Sequence, residues 1–207
     1  MNFLTGLTSG LLLITLSELG DKTFFIGAIL AMRHPRKWVF LGVTTALAAM
    51  TLLSVSIGQL ASFFPRHYVQ GIAIALFIGF GLKLLYDASR MSGQDSLDGE
   101  QAEAMEAVEQ REKEIVIWSA RGIVMEAFTL TFIAEWGDRT QIATITLSSS
   151  HHPYGVLLGA ILGHAICTAI GVACGKLIAK RISERLMTAL GGALFIGFGI
   201  LAALEGA

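Results

Sequence analysis

The sequence predicts an all-α integral membrane protein of six transmembrane helices, arranged as two inverted three-helix repeats. Three observations carry the prediction: long apolar runs, a motif that occurs twice in step with a second repeated segment, and a one-sided distribution of cations. Hydrophobic residues make up 54% of the 207-residue chain and charged residues only 15%, against roughly 25% in soluble domains. That leaves too little polar surface to coat a globule in water. The runs over residues 38–65, 154–175 and 186–204 approach or exceed the roughly 20 residues that cross a bilayer.

Hydropathy places helices at residues 3–32, 38–64, 68–88, 115–147, 154–178 and 186–203. A barrel is excluded, because barrel strands are alternating segments of roughly ten residues and these runs are apolar on all sides. No cationic leader or small-residue cleavage site precedes Glu18, so the chain reads as mature from its first residue. Between the third and fourth helices, residues 95–114 hold eight acids against Arg111 and Lys113, which reads as a solvated linker with a short surface helix from Gln101 onward. A formal net charge of −1 with dispersed cations gives no nucleic-acid partner. Cys167 and Cys174, seven residues apart on one helix, lie about 10.5 Å apart along its axis and cannot bridge each other.

Internal repetition is the strongest signal. Glu18-Leu19-Gly20-Asp21-Lys22-Thr23 recurs 117 residues later as Glu135-Trp136-Gly137-Asp138-Arg139-Thr140. The heptapeptide ALFIGFG at residues 75–81 recurs unchanged at 193–199. The expected organisation is a first repeat over residues 1–90, an acidic cytoplasmic linker over 91–114 and a second repeat over 115–207. Three helices per repeat is an odd number, so the second repeat enters the membrane from the opposite face. Cations agree: eleven lie in the loops of one face and Arg66 alone on the other. The positive-inside rule makes the crowded face cytoplasmic and puts both termini outside.

Five of the sixteen acids fall at membrane depth, and four of them are Glu18, Asp21, Glu135 and Asp138. A charge at the bilayer centre costs about 2.5–3.5 kcal/mol on insertion scales, so four acids at matched positions mark a functional site. Within each motif the carboxylates are three residues apart and share a helix face, while Lys22 or Arg139 stands four residues from its own glutamate. The first predicted helix is too long for a straight span, and Gly20 and Gly137 are the natural places for a break that exposes backbone carbonyls. Carboxylate, carbonyl and hydroxyl oxygens suit Mn²⁺, Ca²⁺ or Mg²⁺, with Thr23, Thr140 and Gln141 as neutral donors. Were each acid merely paired with its own base, the motifs would only bolt helices together. Two bases, however, leave four acids with a surplus charge of −2, which suits one divalent cation or two protons.

Other residues say less. His164 and Cys167 are three apart on the fifth helix, but their repeat counterparts are Leu47 and Met50, so they read as packing. Glu126, the fifth deep acid, either lines a cytoplasmic entrance or reaches headgroups by snorkelling. Gly155, Gly159 and Gly163 form a stripe that permits close helix packing.

The two copies ELGDKT and EWGDRT, one in each half, resemble the signature of the Gdt family of cation:proton exchangers. That family includes the Golgi transporter linked to glycosylation defects and manganese exchangers of chloroplasts and cyanobacteria. The resemblance implies a secondary transporter that exchanges Mn²⁺ or Ca²⁺ for protons and exports the metal. Its partners are the metal, protons and the bilayer; no cofactor is implied. It also implies a prokaryotic plasma membrane or a cyanobacterial thylakoid. Membrane lipid-phosphate hydrolases also pair glutamates in inverted repeats, but they need an excess of bases around phosphate, and here acids outnumber bases. A passive pore is disfavoured by the two interior bases, which impede a cation.

Overall fold

In a computed structural model, the structure describes residues 2–91, 98–112, 119–178 and 184–205, which are helical with no strands among them. The helices are α1 (Phe3–Glu18), α2 (Lys22–Arg33), α3 (Arg36–Ala61), α4 (Arg66–Arg90), α5 (Asp98–Glu112), α6 (Ala120–Ala134), α7 (Arg139–Ser150), α8 (Pro153–Ile178) and α9 (Glu184–Glu205). Asp95, Lys113, Glu114, Lys180 and Arg181, and residues 115–118 of the fourth predicted span, lie outside the described residues, as do the side chains of Arg66, Cys174 and Lys176.

Local chemistry sets the helix starts. The Asn2 side chain accepts the Leu4 N–H at 3.4 Å to open α1, and Ser119 accepts the Gly122 N–H at 3.0 Å to open α6. Pro35 and Pro65 precede α3 and α4, and Pro153 begins α8; proline is tolerated there because the first turn has no use for its missing N–H.

The first predicted helix is in fact two. α1 and α2 meet at an angle of 66°, and Gly20 turns the chain with φ of 90°. Gly137 does the same between α6 and α7 with φ of 82°. A Cβ would clash with the backbone in this left-handed region, which is why glycine stands at both elbows. The Asp21 N–H donates to the Glu18 carbonyl and the Asp138 N–H to the Glu135 carbonyl, both at 3.2 Å, so the two elbows repeat one turn.

Six spans are met only in part. By length and composition three described helices can cross a membrane: α3, the 67–90 part of α4 and the 153–173 part of α8; the bent α1–α2 pair makes a fourth. Residues 188–204 of α9 form a shorter apolar helix. α6 and α7 carry Glu126, Arg139 and a hydroxyl-rich stretch from Thr140 to Ser150, which dilutes their apolar character.

Packing is mirrored between the halves. α8 lies along α1 and runs parallel to it, with Gly155 on Phe3, Gly159 on Leu7 and Gly163 on Ile14. The matching contact 117 residues away sets Gly42 of α3 on Val124 of α6, where a Cβ would come within 2.6 Å of the Val124 carbonyl oxygen. Bare backbone at these crossings is what brings the helix axes close. α4 and α9 pair antiparallel: Gly81 meets Ile196, Gly199 meets Ile78, and Phe77 stacks on Phe198 at 5.8 Å.

The acidic linker needs correction. α5 buries Ala104 and Val108 completely in the same core cluster as Phe25, Ile29 and Val43, so this face of the acidic stretch is packed rather than solvated. Small apolar residues four apart make one dry face on a helix whose other faces are charged.

Gly159→Ala is expected to lower the melting temperature of detergent-purified protein, because its Cβ would strike the Leu7 carbonyl and overpacking costs about 1–3 kcal/mol. Gly197→Ala, with nothing within 4 Å of the new Cβ, is expected to be neutral or to gain about 0.5–1 kcal/mol from helix propensity. Equal melting temperatures for the two variants would contradict the packing described.

Candidate metal centre

The two elbows bring the ends of α1 and α6 together. One carboxylate oxygen from each of Glu18, Asp21 and Glu135 lies within 4.8 Å of the other two. Glu18 and Glu135 are 2% and 3% exposed, which for carboxylates demands a compensating ligand or proton. Thr23 donates its hydroxyl to Glu18 Oε2 at 3.1 Å, and Thr140 donates to Glu135 Oε2 at 3.3 Å, a matched pair across the repeat. Among the described residues, Glu18 Oε1 keeps no hydrogen-bond partner.

Asp138 departs from the pattern. Its Oδ2 accepts the Thr140 N–H at 3.3 Å, capping α7, and shares the single Thr140 hydroxyl proton with Glu135 from 3.1 Å away. Asp21 occupies the same cap position on α2 but makes no side-chain cap bond, and it joins the cluster instead.

Neither base pairs with its own glutamate, the arrangement in which the motifs would only bolt helices together. Arg139 crosses to the other half and binds Asp21 Oδ1 at 2.6 Å. Lys22 turns outward to Glu103 of α5 at 3.1 Å. The elbow is the cause: each base begins the helix after the break, so the spacing of a continuous helix no longer holds. Among the described residues, the cluster therefore keeps one direct counter-cation, Arg139. Burying like charges together in a medium of low dielectric is unfavourable, and a hard divalent cation or protons relieve it.

Beside the cluster lies a cavity of about 370 Å³. Asp21, Lys22, Asp138 and Arg139 line it from the motifs, Lys83 and Asp87 from α4, and Glu100 and Glu103 from α5. Asp21 belongs to both cavity and cluster, so it stands between the buried glutamates and the cavity. Lys83 and Asp87 went unmarked in the sequence, where the signal was an acid–base pair four residues apart on α4, while Glu100 and Glu103 were counted only among the eight acids of the linker.

The neutral donors are already engaged. Thr23 and Thr140 donate to glutamates, and the Gln141 Oε1 accepts the Gly137 N–H at 2.7 Å. Glu126 is 2% exposed on α6 and is not among the residues that line this cavity. His164 and Cys167 are buried, the Cys167 thiol donating to the Thr15 carbonyl at 3.4 Å.

Paired elbows, long apolar helices and a buried carboxylate cluster define an integral membrane protein that handles a cation rather than an anion. The chain belongs to the GDT1 family, described as divalent cation/proton antiporters, which matches residues 6–92 and 123–207, both halves without the linker between them. It is a transporter and not an enzyme. GDT1-like protein sll0615 of Synechocystis sp. is 54% identical over 200 residues, covering 96% of this chain and 97% of its own. GDT1-like protein 5 of Oryza sativa subsp. japonica is 38% identical over 99% of this chain and 97% of its own. The rice GDT1-like protein 2, chloroplastic, is also 38% identical, over 95% of this chain and 60% of its own. No solved structure matches.

Arg139→Gln removes the counter-charge of Asp21 in a crowded acidic site, a loss that approaches the roughly 3–5 kcal/mol of breaking a buried pair. Lys22→Gln frees only Glu103 at an exposed rim, where a pair is worth about 0.2–1 kcal/mol. Metal uptake per folded molecule is expected to fall much further in the first variant. Equal losses would contradict the cross-half pairing.

Proposed function

We propose that the chain exports Mn²⁺ or Ca²⁺ from the cytoplasm in exchange for protons, by alternating access around Glu18, Asp21, Glu135 and Asp138. The observation that carries this reading is that carboxylate oxygens from both halves meet within 4.8 Å. Hard oxygen donors of this kind suit Mn²⁺ and Ca²⁺, whereas zinc or copper sites recruit nitrogen and sulfur. In this reading Asp138 leaves its cap on α7 to join the other three as the metal loads.

The halves are residues 1–90 and 115–207, joined by the linker over 91–114, and they span the membrane in opposite orientations as six transmembrane segments. Support comes from helix direction: α8, the counterpart of α3, runs parallel to α1, and the counterparts α4 and α9 are antiparallel. A twofold axis in the membrane plane produces both relations. Broken helices meeting at such an axis form the binding site in several transporter folds. The eleven-to-one bias of loop cations supports a cytoplasmic linker with both termini outside. The 54% identical cyanobacterial relative supports a prokaryotic plasma membrane or a thylakoid as the home membrane.

Exchange follows from shared ligands. The carboxylates that hold the metal are the groups that take protons, so metal loading releases protons and protonation releases metal. The empty ionised cluster is the costly species to move, which suppresses leak.

In proteoliposomes holding a pH-sensitive dye, with membrane potential clamped, Mn²⁺ or Ca²⁺ entry is expected to move protons the other way, and an imposed pH gradient to drive metal uphill. Glu18→Gln and Glu135→Gln are expected to abolish both fluxes while the protein still inserts. Metal entry that moves no protons would replace exchange with facilitated diffusion, and competition among Mn²⁺, Ca²⁺ and Mg²⁺ in the same vesicles ranks the ions.

A further inference from the structure

The two elbows share a turn, yet they are held by different chemistry. At the second elbow the left-handed Gly137 points its N–H at Gln141, whose Oε1 accepts it at 2.7 Å. The other end of that amide donates from Nε2 to the Met50 thioether at 2.9 Å. Met50 is a buried residue of α3, in the first half of the chain. The orientation of the amide is dictated by chemistry: flipped, its NH₂ would face the Gly137 N–H, donor against donor. Gln141 thus ties an exposed elbow of one half to a buried residue of the other.

The first elbow is built differently. The residue 117 positions before Gln141 is Phe24, which has no side-chain acceptor for the Gly20 N–H. Phe24 instead lays its ring against Gly171 of α8, where a Cβ would sit 3.3 Å from Cδ2, and Gly20 is buried. One elbow is held by apolar packing, the other by a two-ended hydrogen-bonded clamp. The clamped elbow lies between Glu135 and Asp138, so any slip of Gly137 displaces both carboxylates of the second half.

We propose that Gln141 is a positioning residue, a clamp between Gly137 and Met50 that sets where Glu135 and Asp138 stand, rather than a ligand to the cation. The inference rests on the metal site proposed above. It predicts a binding defect rather than a turnover defect. Loss of a residue that orients ligands costs roughly 10–100-fold in metal affinity, so Gln141→Leu should raise the KM for Mn²⁺ by about tenfold or more with little change in kcat.

Hydrogen–deuterium exchange on the purified full chain supplies a readout independent of transport. In Gln141→Leu the segment 135–138 should exchange faster than in the wild type, with the segment 18–21 unchanged. Gln141→Glu keeps an acceptor for the Gly137 N–H but loses the donor to Met50, so it should recover slow exchange only in part, to about the level of Met50→Leu. Met50→Leu keeps the volume, loses the sulfur acceptor, and should fall between wild type and Gln141→Leu. Unchanged exchange at 135–138 in Gln141→Leu, no rescue by Gln141→Glu, or a fall in kcat at constant KM would each overturn the clamp. Should wild-type protein neither bind nor carry Mn²⁺ or Ca²⁺, the proposed function fails while the exchange measurement still decides the clamp.

Discussion

The crowding of Glu18, Asp21 and Glu135, with oxygens within 4.8 Å of one another, is the constraint on which the rest of this molecule depends. Carboxylates do not gather in a membrane interior unless something offsets their repulsion and lost hydration. Three features share that task. Arg139 reaches across from the other half to Asp21, Thr23 and Thr140 donate to the two glutamates, and Asp138 is occupied with the start of α7. The remaining imbalance is what a divalent cation or protons would relieve, so the chemistry of the site and its instability when empty are one property.

Holding charges together this way requires rigid surroundings, and the helix pairs provide them with small residues. Gly159 on Leu7 and Gly42 on Val124 are the same contact made twice, locking α8 to α1 and α3 to α6. These crossings carry each half's helix into the other half, so neither repeat forms its part of the site alone. The elbows then turn the chain inward beside these crossings, and left-handed glycines put Glu18 and Glu135 at the meeting point. α5 adds a layer outside the repeats: its dry face docks on the core around α2, and its charged face carries Glu103 to Lys22 at the cavity rim.

Much of this was legible in the sequence, and the misses have physical causes. The repeated ELGDKT and EWGDRT already marked the acids and both glycine breaks, because four ionisable residues in register within apolar runs are costly to insert unless a site uses them. Ion pairing was not legible, since helical spacing assigns Lys22 to Glu18 and Arg139 to Glu135 only while the helix is unbroken. The break that glycine allows also redirects the bases, to Glu103 and Asp21. α5 was half legible: its composition announced a helix, but Ala104 and Val108 are too small to announce a buried face. The unequal elbows were present as Gln141 opposite Phe24, a difference whose meaning appears only when Gly137 and Met50 are seen at the two ends of one amide.

Whether one set of carboxylates serves both metal and protons is the point on which the mechanism turns. Calorimetric titration of Mn²⁺ and of Ca²⁺ into the purified protein, repeated in buffers of different ionisation enthalpy, counts the protons released when the metal binds. The account predicts net proton release in the wild type, sharply reduced in Glu18→Gln and in Glu135→Gln, with metal binding weakening as pH falls because protons compete for the same oxygens. Metal binding that releases no protons and keeps the same affinity as pH falls would contradict it.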